Sequence, residues 1–379
     1  MASRVARISL DDIYGQVLRS EVWIKQTYDE ICRYADRNGI SKQRFTLYRY
    51  TNMVYYYYME LINYSDDKEN IYSFLIYSIG LKIDIKAQRI AEILTETTKK
   101  VNRDNANPSL GEITTIPDKS ASGTDMTTIR FGKIPVSVPT YVYERLSNPP
   151  FTKDMFYRLI LQYQLIGRTK GFFWSIDSDL YKTFPSLDKY TQPLPTLECF
   201  ASPLNHNLVE YCSVFSEDVH FGSRGNFFDY IKTLKGPYRF IFNPPYTTRI
   251  INDGIKVVLE YIDANPGCEL ISMLPYWRDN EGIEQLTATS NKYIIALSPK
   301  DYSIHDFALG EDLLVNVSMI FYVSIGNSEE KSKTYAQSIK KMLKEKADRL
   351  SKMLDSESDT ILNLPEQVIP EEEAGPLIY

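Results

Sequence analysis

The feature that most constrains the fold is an alternation of strand-like and helix-like segments between about residues 130 and 330. Short apolar runs rich in β-branched and aromatic residues are separated by stretches with helical spacing or turn residues. Such alternation predicts crossover connections, and therefore a mostly parallel sheet covered by helices. The predicted strands are 197–200, 219–223, 238–242, 269–275, 293–297 and 315–323, with a helix over 206–215.

The N-terminal zone, residues 1–101, has a different pattern. From about residue 10 to residue 100, apolar residues recur at three- and four-residue spacing with few helix breakers. This pattern predicts an all-helical domain. Four consecutive tyrosines, 55–58, point in four directions on a helix, which favours helix packing over a role in stacking RNA bases.

Composition sets the remaining boundaries. Residues 102–128 are rich in Asn, Ser, Thr, Gly and Pro, which predicts a linker or loop before a core over 129–329. Residues 330–354 have the pattern of a basic amphipathic helix with solvated lysines. The segment 355–379 carries seven acidic residues and no basic one, so it accounts for the net charge of −6 and is expected to be a flexible tail.

Cysteine, histidine and hydropathy patterns narrow the class of protein. The four cysteines and three histidines show no metal-ligand spacing, so we expect no metal site and a reducing compartment. The chain has no 18-residue apolar stretch and no hydrophobic signal core. We therefore expect a soluble intracellular protein, nuclear or cytoplasmic, without a membrane partner.

The tetrapeptide Asn243-Pro244-Pro245-Tyr246 follows the predicted strand 238–242 and precedes a helical pattern, which is where open α/β sheets bind ligands. The amide oxygen of Asn243 and the carbonyl of Pro244 can accept both N–H bonds of an exocyclic amine, directing its lone pair toward S-adenosylmethionine. The prolines stiffen the turn, and Tyr246 offers a stacking face to a flat base. The pattern predicts an amino-methyltransferase site that needs no metal.

A second copy, Asn148-Pro149-Pro150-Phe151, shows that the tetrapeptide alone does not identify a site. The preceding run 141–146 carries charges where a buried strand would be apolar, and it fits a helix ended by Asn-Pro. We predict that the first copy is a loop without a catalytic role.

The turn after the first core strand, Phe200-Ala201-Ser202-Pro203-Leu204-Asn205, lacks the glycines that most methyltransferases have at this position. The blocks 198–205, 211–213, 221–225 and 243–246, in this order and spacing, resemble the phosphorylated-CTD-interacting-factor family of cap-specific adenosine methyltransferases. The resemblance covers about residues 155–325.

The resemblance implies a Rossmann-like class I methyltransferase core, with a seven-stranded, mostly parallel sheet and a reversed final strand, beside the helical domain. It implies S-adenosyl-L-methionine as cofactor and the capped mRNA 5′ end as partner. The implied product is N6-methylation of the cap-adjacent adenosine, which in this family normally carries a 2′-O-methyl group. Animal members have a WW domain, but no two tryptophans here have WW spacing, so recruitment to the polymerase tail is not supported.

The site residues are assigned from the same blocks. Phe221, Gly222 and Ser223 are expected at the end of the strand 219–223, where an acid usually meets the cofactor ribose; here Glu217 and Asp218 precede that strand. The predicted cofactor-binding residues are Glu198, Phe200, Ala201, Ser202, Pro203, Phe221, Gly222 and Ser223. The predicted substrate-binding residues are Arg224, Trp277, Arg278 and His305, with a surface salt bridge open for Arg224 and a structural role open for His305.

Two other functions remain open from the sequence. The first is N6-methylation of adenine in DNA or within RNA, although a DNA enzyme would usually have a recognition region with a strongly basic face, and none is evident. The second is a catalytically inactive RNA-binding or scaffold protein that keeps the fold.

Overall fold

The computed structural model describes residues 10–104, 112–120, 122–147, 151–166, 174–176, 178–183, 193–277 and 279–357. The chain divides into two compact units, Met1–Phe172 and Phe173–Tyr379. The division therefore falls well after the predicted linker. The predicted acidic tail beyond residue 357 and residues 148–150 of the first tetrapeptide lie outside the described residues.

The N-terminal helical zone is present as predicted. It consists of α1 (Leu10–Arg37), α2 (Leu47–Asn63), α3 (Lys68–Gly80) and α4 (Ala87–Asp104). Their apolar faces form one buried cluster that includes Ile31, Tyr50, Val54, Ile79 and Leu94. Of the four consecutive tyrosines, Tyr55 is buried in this cluster and Tyr58 donates its hydroxyl to Ser20 at 3.2 Å. These contacts fit the packing role.

The prediction of a linker over 102–128 is wrong for part of its length. The strands β1 (Thr114–Lys119), β2 (Asp125–Phe131) and β3 (Ile134–Pro139) form an antiparallel sheet. Threonine, serine and glycine gave this segment the composition of a loop, but β2 buries four consecutive residues from Met126 to Ile129. The helices α5 (Thr140–Ser147) and α6 (Lys153–Ile166) complete the described part of this unit. The helix predicted before the first tetrapeptide is confirmed by α5.

The second unit contains the sheet that positions the site. Its strands are β5 (Thr196–Glu198), β6 (Arg239–Phe242), β7 (Glu269–Pro275), β8 (Tyr293–Leu297) and β11 (Met319–Ser324), in the order β5-β6-β7-β11-β8. The strands β5, β6 and β7 are parallel, and β11 runs antiparallel to both β7 and β8. The predicted reversed final strand is thus confirmed.

The predicted seven-stranded sheet is not found, because the described residues place five strands in it. The expected strand over 219–223 is largely a 3-10 helix, Ser216–Phe221, and the expected helix over 206–215 is a loop. Within that loop, Tyr211 makes one parallel bridge to Glu198 and extends the sheet beyond β5. A separate three-stranded sheet joins β4 (Trp174–Ser175), β9 (Ser303–Asp306) and β10 (Glu311–Leu314).

Both faces of the five-stranded sheet are covered. The helices α9 (Thr248–Ala264) and α10 (Glu281–Ala288) contribute to the apolar cluster on one face, and α11 (Glu329–Glu357) to the cluster on the other. The short helices α7 (Ser178–Lys182) and α8 (Phe227–Tyr230) add to these clusters. Since β6 and β7 are buried on both sides, a ligand can reach this sheet at the strand ends. No helix in the described part of the chain is long and apolar enough to cross a membrane.

Candidate active site at the carboxyl ends of the parallel strands

The segments that follow β5 and β6 lie side by side at the carboxyl ends of these parallel strands. The register pairs Glu198 with Ile241 and Phe242 with Ser272, so β5 and β6 end within one residue of each other, and β7 continues three residues further, to Pro275. The rings of Phe200 and Phe242 lie 5.4 Å apart, which shows how closely the first two segments approach. The predicted tetrapeptide and the predicted cofactor turn are therefore neighbours.

The tetrapeptide 243–246 is held between a buried strand and a capped helix. The strand β6 is buried along its length, and α9 begins at Thr248. The N-cap Thr247 accepts a hydrogen bond from the backbone of Ile250 at 3.2 Å, and its own N–H donates to the carbonyl of Pro245 at 2.8 Å. These contacts engage the Pro245 carbonyl, so Pro244 carries the carbonyl that we consider for a substrate amine.

Tyr246 makes a contact that the sequence did not reveal. Its hydroxyl donates a hydrogen bond to Oδ1 of Asn243 at 3.0 Å. Its half-buried ring packs against both apolar clusters, so it lies across the end of the sheet. The amide oxygen predicted to accept an amine is therefore engaged by the neighbouring tyrosine.

The turn after β5 is organised by side-chain hydrogen bonds in place of glycines. The backbone N–H and the hydroxyl of Ser202 both donate to Oδ1 of Asn205, at 2.7 and 2.8 Å. The N–H of Ala201 donates to the carbonyl of Cys212 at 2.9 Å. Phe200 places its ring against Phe227 and Phe242, so its side chain belongs to the core.

Glu198 is a buried side chain that binds the backbone of the loop after this turn. The side chain is 4% exposed, and its Oε1 accepts a hydrogen bond from the hydroxyl of Tyr181 at 2.8 Å. Its Oε2 accepts from the backbone N–H groups of Asn207 at 2.9 Å and Leu208 at 3.1 Å. Burial raises the pKa of Glu198 to about 7, against the lowering effect of these donors. The three contacts give this carboxyl group a role in shaping the loop.

The segment 221–224 is connected to β5 through hydrogen bonds to Tyr211, and not through the predicted strand 219–223. The N–H of Arg224 donates to the carbonyl of Tyr211 at 2.8 Å, and the hydroxyl of Tyr211 donates to the carbonyl of Phe221 at 2.8 Å. Because Tyr211 is the strand-like neighbour of β5, Glu217 and Asp218 follow the strand. This corrects the expectation that they precede it, and Glu217 is half-buried.

The predicted substrate-binding residues differ from one another in exposure and in their contacts. Arg224 is half exposed and lies 3.7 Å from a carboxylate oxygen of Glu210, so the salt-bridge alternative is present. The ring of Trp277 is half-buried against an apolar cluster that also contacts Tyr246, and Arg278 lies outside the described residues. Tyr276, which the sequence analysis did not assign, is 51% exposed beside Trp277.

His305, on β9, contacts Asp312 of β10, which also contacts Lys346 of α11. Its Nδ1 lies 2.9 Å from a carboxylate oxygen of Asp312, whose other oxygen lies 2.8 Å from the ammonium group of Lys346. These contacts fit the structural alternative for His305. Across the described ranges, no group of three or more His, Cys, Asp or Glu residues is placed to hold a metal ion.

Comparison with known proteins agrees with the four sequence blocks. A family model described as "Phosphorylated CTD interacting factor 1 WW domain" matches residues 142–303. That range holds β5, β6, β7 and β8, and its two tryptophans are Trp174 and Trp277.

Two curated relatives are similar over 86 residues, and both are called "mRNA (2'-O-methyladenosine-N(6)-)-methyltransferase". The human protein is 34% identical and the mouse protein 33% identical over that stretch. The stretch is 22% of this chain and 12% of each relative, so the similarity spans a small part of those proteins. The family resemblance predicted from the sequence is confirmed: the chain carries the domain region of the phosphorylated CTD interacting factor 1 family over residues 142–303, with distant similarity to the human and mouse methyltransferases.

Proposed function

We propose that this protein is an S-adenosylmethionine-dependent methyltransferase that modifies the N6 amine of the cap-adjacent adenosine of mRNA. The observation that carries the proposal is the position of Asn243-Pro244-Pro245-Tyr246. The motif follows a buried parallel strand, beside the turn after β5, and lies inside the family-matched range. The human and mouse relatives are named for the same chemistry.

The residue types near this edge of the sheet match the methionine, ribose and adenine parts of S-adenosylmethionine. The methionine part needs a polar turn, and the segment from Ala201 to Asn205 supplies small and hydrogen-bonding side chains. The ribose needs an acceptor for its hydroxyls, for which we assign Glu217, and the half-buried ring of Phe221 is the nearby apolar group for the adenine. The bound cofactor supplies a methyl group on a sulfonium, which is an electrophile without metal assistance.

The chain's own residues act on the substrate amine. The lone pair of this amine is delocalised into the adenine ring, so it is a weak nucleophile. The amide oxygen of Asn243 and the carbonyl of Pro244 accept its two N–H bonds, which localises the lone pair and fixes its direction. With S-adenosylmethionine bound, these two acceptors would hold the amine in line with the methyl group, so that a C–N bond could replace the C–S bond, whose electron pair would stay on the sulfur, while one amine proton passed to water.

The substrate base must be unstacked to reach this position. Tyr246 supplies an aromatic face, and stacking of a base on such a ring contributes about 1–3 kcal/mol. A nucleotide at the end of an RNA chain has fewer stacking partners to lose than one inside a duplex. A cap-adjacent adenosine therefore suits the site better than an adenine within a double helix.

The proposal is tested by methyl transfer from labelled S-adenosylmethionine to two matched RNAs that begin with 2′-O-methyladenosine. One RNA carries a guanosine cap and the other a 5′ triphosphate. Transfer to the capped RNA alone supports the cap-specific function. Equal transfer to both indicates a general adenine methyltransferase, and no transfer with retained RNA binding indicates a scaffold protein.

Two variants test the residue that we assign to the amine. We expect Asn243→Ala to abolish turnover while cofactor affinity, measured by calorimetry, stays within about twofold, because Asn243 acts on the amine. The matched control is Asn148→Ala in the first copy of the tetrapeptide, which should leave activity unchanged. An inactive Asn148→Ala with an active Asn243→Ala would reverse the assignment between the two copies.

A further inference from the structure

The hydrogen bond between Tyr246 and Asn243 has a consequence for substrate binding. The tyrosine hydroxyl lies 3.0 Å from Oδ1 of Asn243. A hydrogen bond from an amine N–H to an amide oxygen has nearly the same donor–acceptor distance, about 2.9–3.0 Å. The hydroxyl oxygen therefore stands at the distance from Asn243 where the substrate nitrogen belongs.

The packing of the Tyr246 ring holds its hydroxyl against Asn243 in the free protein. Tyr246 is half-buried and packs against the apolar clusters of both sheet faces. The preceding residues are held by β6, and the following residue is the N-cap of α9. The side chain is thus supported from two sides while it engages the amide of Asn243.

We propose that Tyr246 gates the site: in the free protein its hydroxyl occupies the amide acceptor of Asn243, and an incoming adenine displaces it. This inference rests on the proposed function. The displacing base must offer both a flat face for the ring and an N–H donor for Asn243. A base with a carbonyl oxygen at the corresponding position offers no such donor, so the tyrosine keeps its contact and the base is rejected.

The gate lowers apparent affinity, because only the fraction of molecules with the acceptor released can bind the base. The net contribution of a neutral hydrogen bond, converted to an equilibrium constant, corresponds to about 2- to 12-fold. Tyr246→Phe removes the hydroxyl and keeps the stacking ring. We expect this variant to lower KM for capped RNA by about 2- to 12-fold, with kcat changed by less than about twofold.

Tyr302→Phe is the matched control. The hydroxyl of Tyr302 donates to the carbonyl of Val317 at 2.8 Å, and its ring belongs to a cluster that Tyr246 contacts. The same chemical change is therefore made nearby without touching Asn243. We expect KM of Tyr302→Phe to equal or exceed that of the wild-type protein.

The experiment measures kcat and KM of the full-length wild-type protein and both variants with capped RNA and labelled S-adenosylmethionine. A lower KM in Tyr246→Phe alone supports the gate. A raised KM or a tenfold lower kcat in Tyr246→Phe overturns the gate while wild-type activity still supports the proposed function. A lower KM in both variants also overturns it, since general loosening would explain both. No transfer by the wild-type protein refutes the proposed function and the gate together.

Discussion

Replacing Glu198 by glutamine removes a buried ionisable group while keeping its hydrogen-bond geometry. The carboxylate accepts from Tyr181 through one oxygen and from the backbones of Asn207 and Leu208 through the other. In the variant, the amide oxygen can keep the two backbone donors, and the amide N–H₂ can donate to the hydroxyl of Tyr181, which is also an acceptor. The change therefore isolates the charge.

The size of the effect follows from the pKa. Burial raises the pKa of Glu198 from its usual 4.5 to about 7, so the folded protein binds this proton more tightly than the unfolded chain does. Its contribution to stability is fully present below about pH 4.5 and is lost as the pH rises through about 7. Between pH 5 and pH 8 the wild-type protein should lose about 2.5 kcal/mol of unfolding free energy on this account. Glu198→Gln should not show that loss.

Urea unfolding at pH 5, 6, 7 and 8 measures this difference. A Trp23→Phe background restricts tryptophan fluorescence to Trp174 and Trp277, which both lie in the second unit. Glu260→Gln, on an exposed position of α9, controls for the loss of one negative charge. The stability difference between Glu198→Gln and its parent should grow with pH by about 2.5 kcal/mol. Parallel pH profiles for the two proteins would refute the reasoning.

Three further substitutions test the packing of the five-stranded sheet and of α9. Glu269→Ala removes the carboxylate that lies 2.7 Å from the guanidinium of the buried Arg239, and because breaking a buried ion pair is costly, urea unfolding should show a loss of about 3–5 kcal/mol. Gly254→Ala places a methyl group 2.8 Å from a ring carbon of the buried Phe242, and the overpacking should lower unfolding free energy by about 1–3 kcal/mol despite the better helix former. Thr247→Ala removes the side-chain cap of α9 and should lower thermal stability by about 1 kcal/mol. A neutral result in any of the three would contradict the corresponding contact.

Much of the fold was predictable because the pattern is local. The predicted strands 269–275 and 293–297 match β7 and β8 residue for residue, and the strand before the tetrapeptide matches to within one residue. Continuous apolar runs bounded by polar turns leave little choice of position along the chain. The helical character of the N-terminal zone follows from the spacing of its apolar residues, although that spacing did not give the bounds of the four helices.

The errors fall where tertiary contacts override composition. Residues 114–119 and 125–128 have the composition of a loop, yet they lie in the paired strands β1 and β2 because the sheet satisfies their backbone groups. The segment 206–215 has helical spacing, but Glu198 draws the backbones of Asn207 and Leu208 onto its carboxylate, and Tyr211 pairs beside β5. A partner several residues away in sequence decided the local conformation in each case.

The sequence by itself determined the family region, the strand that carries the candidate site and the residue types able to hold an amine, since these depend on local order and spacing. The tertiary structure decided which groups face one another. It placed Glu217 after the strand-like neighbour of β5, buried Glu198 beneath the turn and set the hydroxyl of Tyr246 on the amide of Asn243. These relations depend on strand order and on the direction of side chains at the end of the sheet. Strand order and side-chain direction cannot be predicted from the sequence pattern, because both arise only when distant segments of the chain pack together.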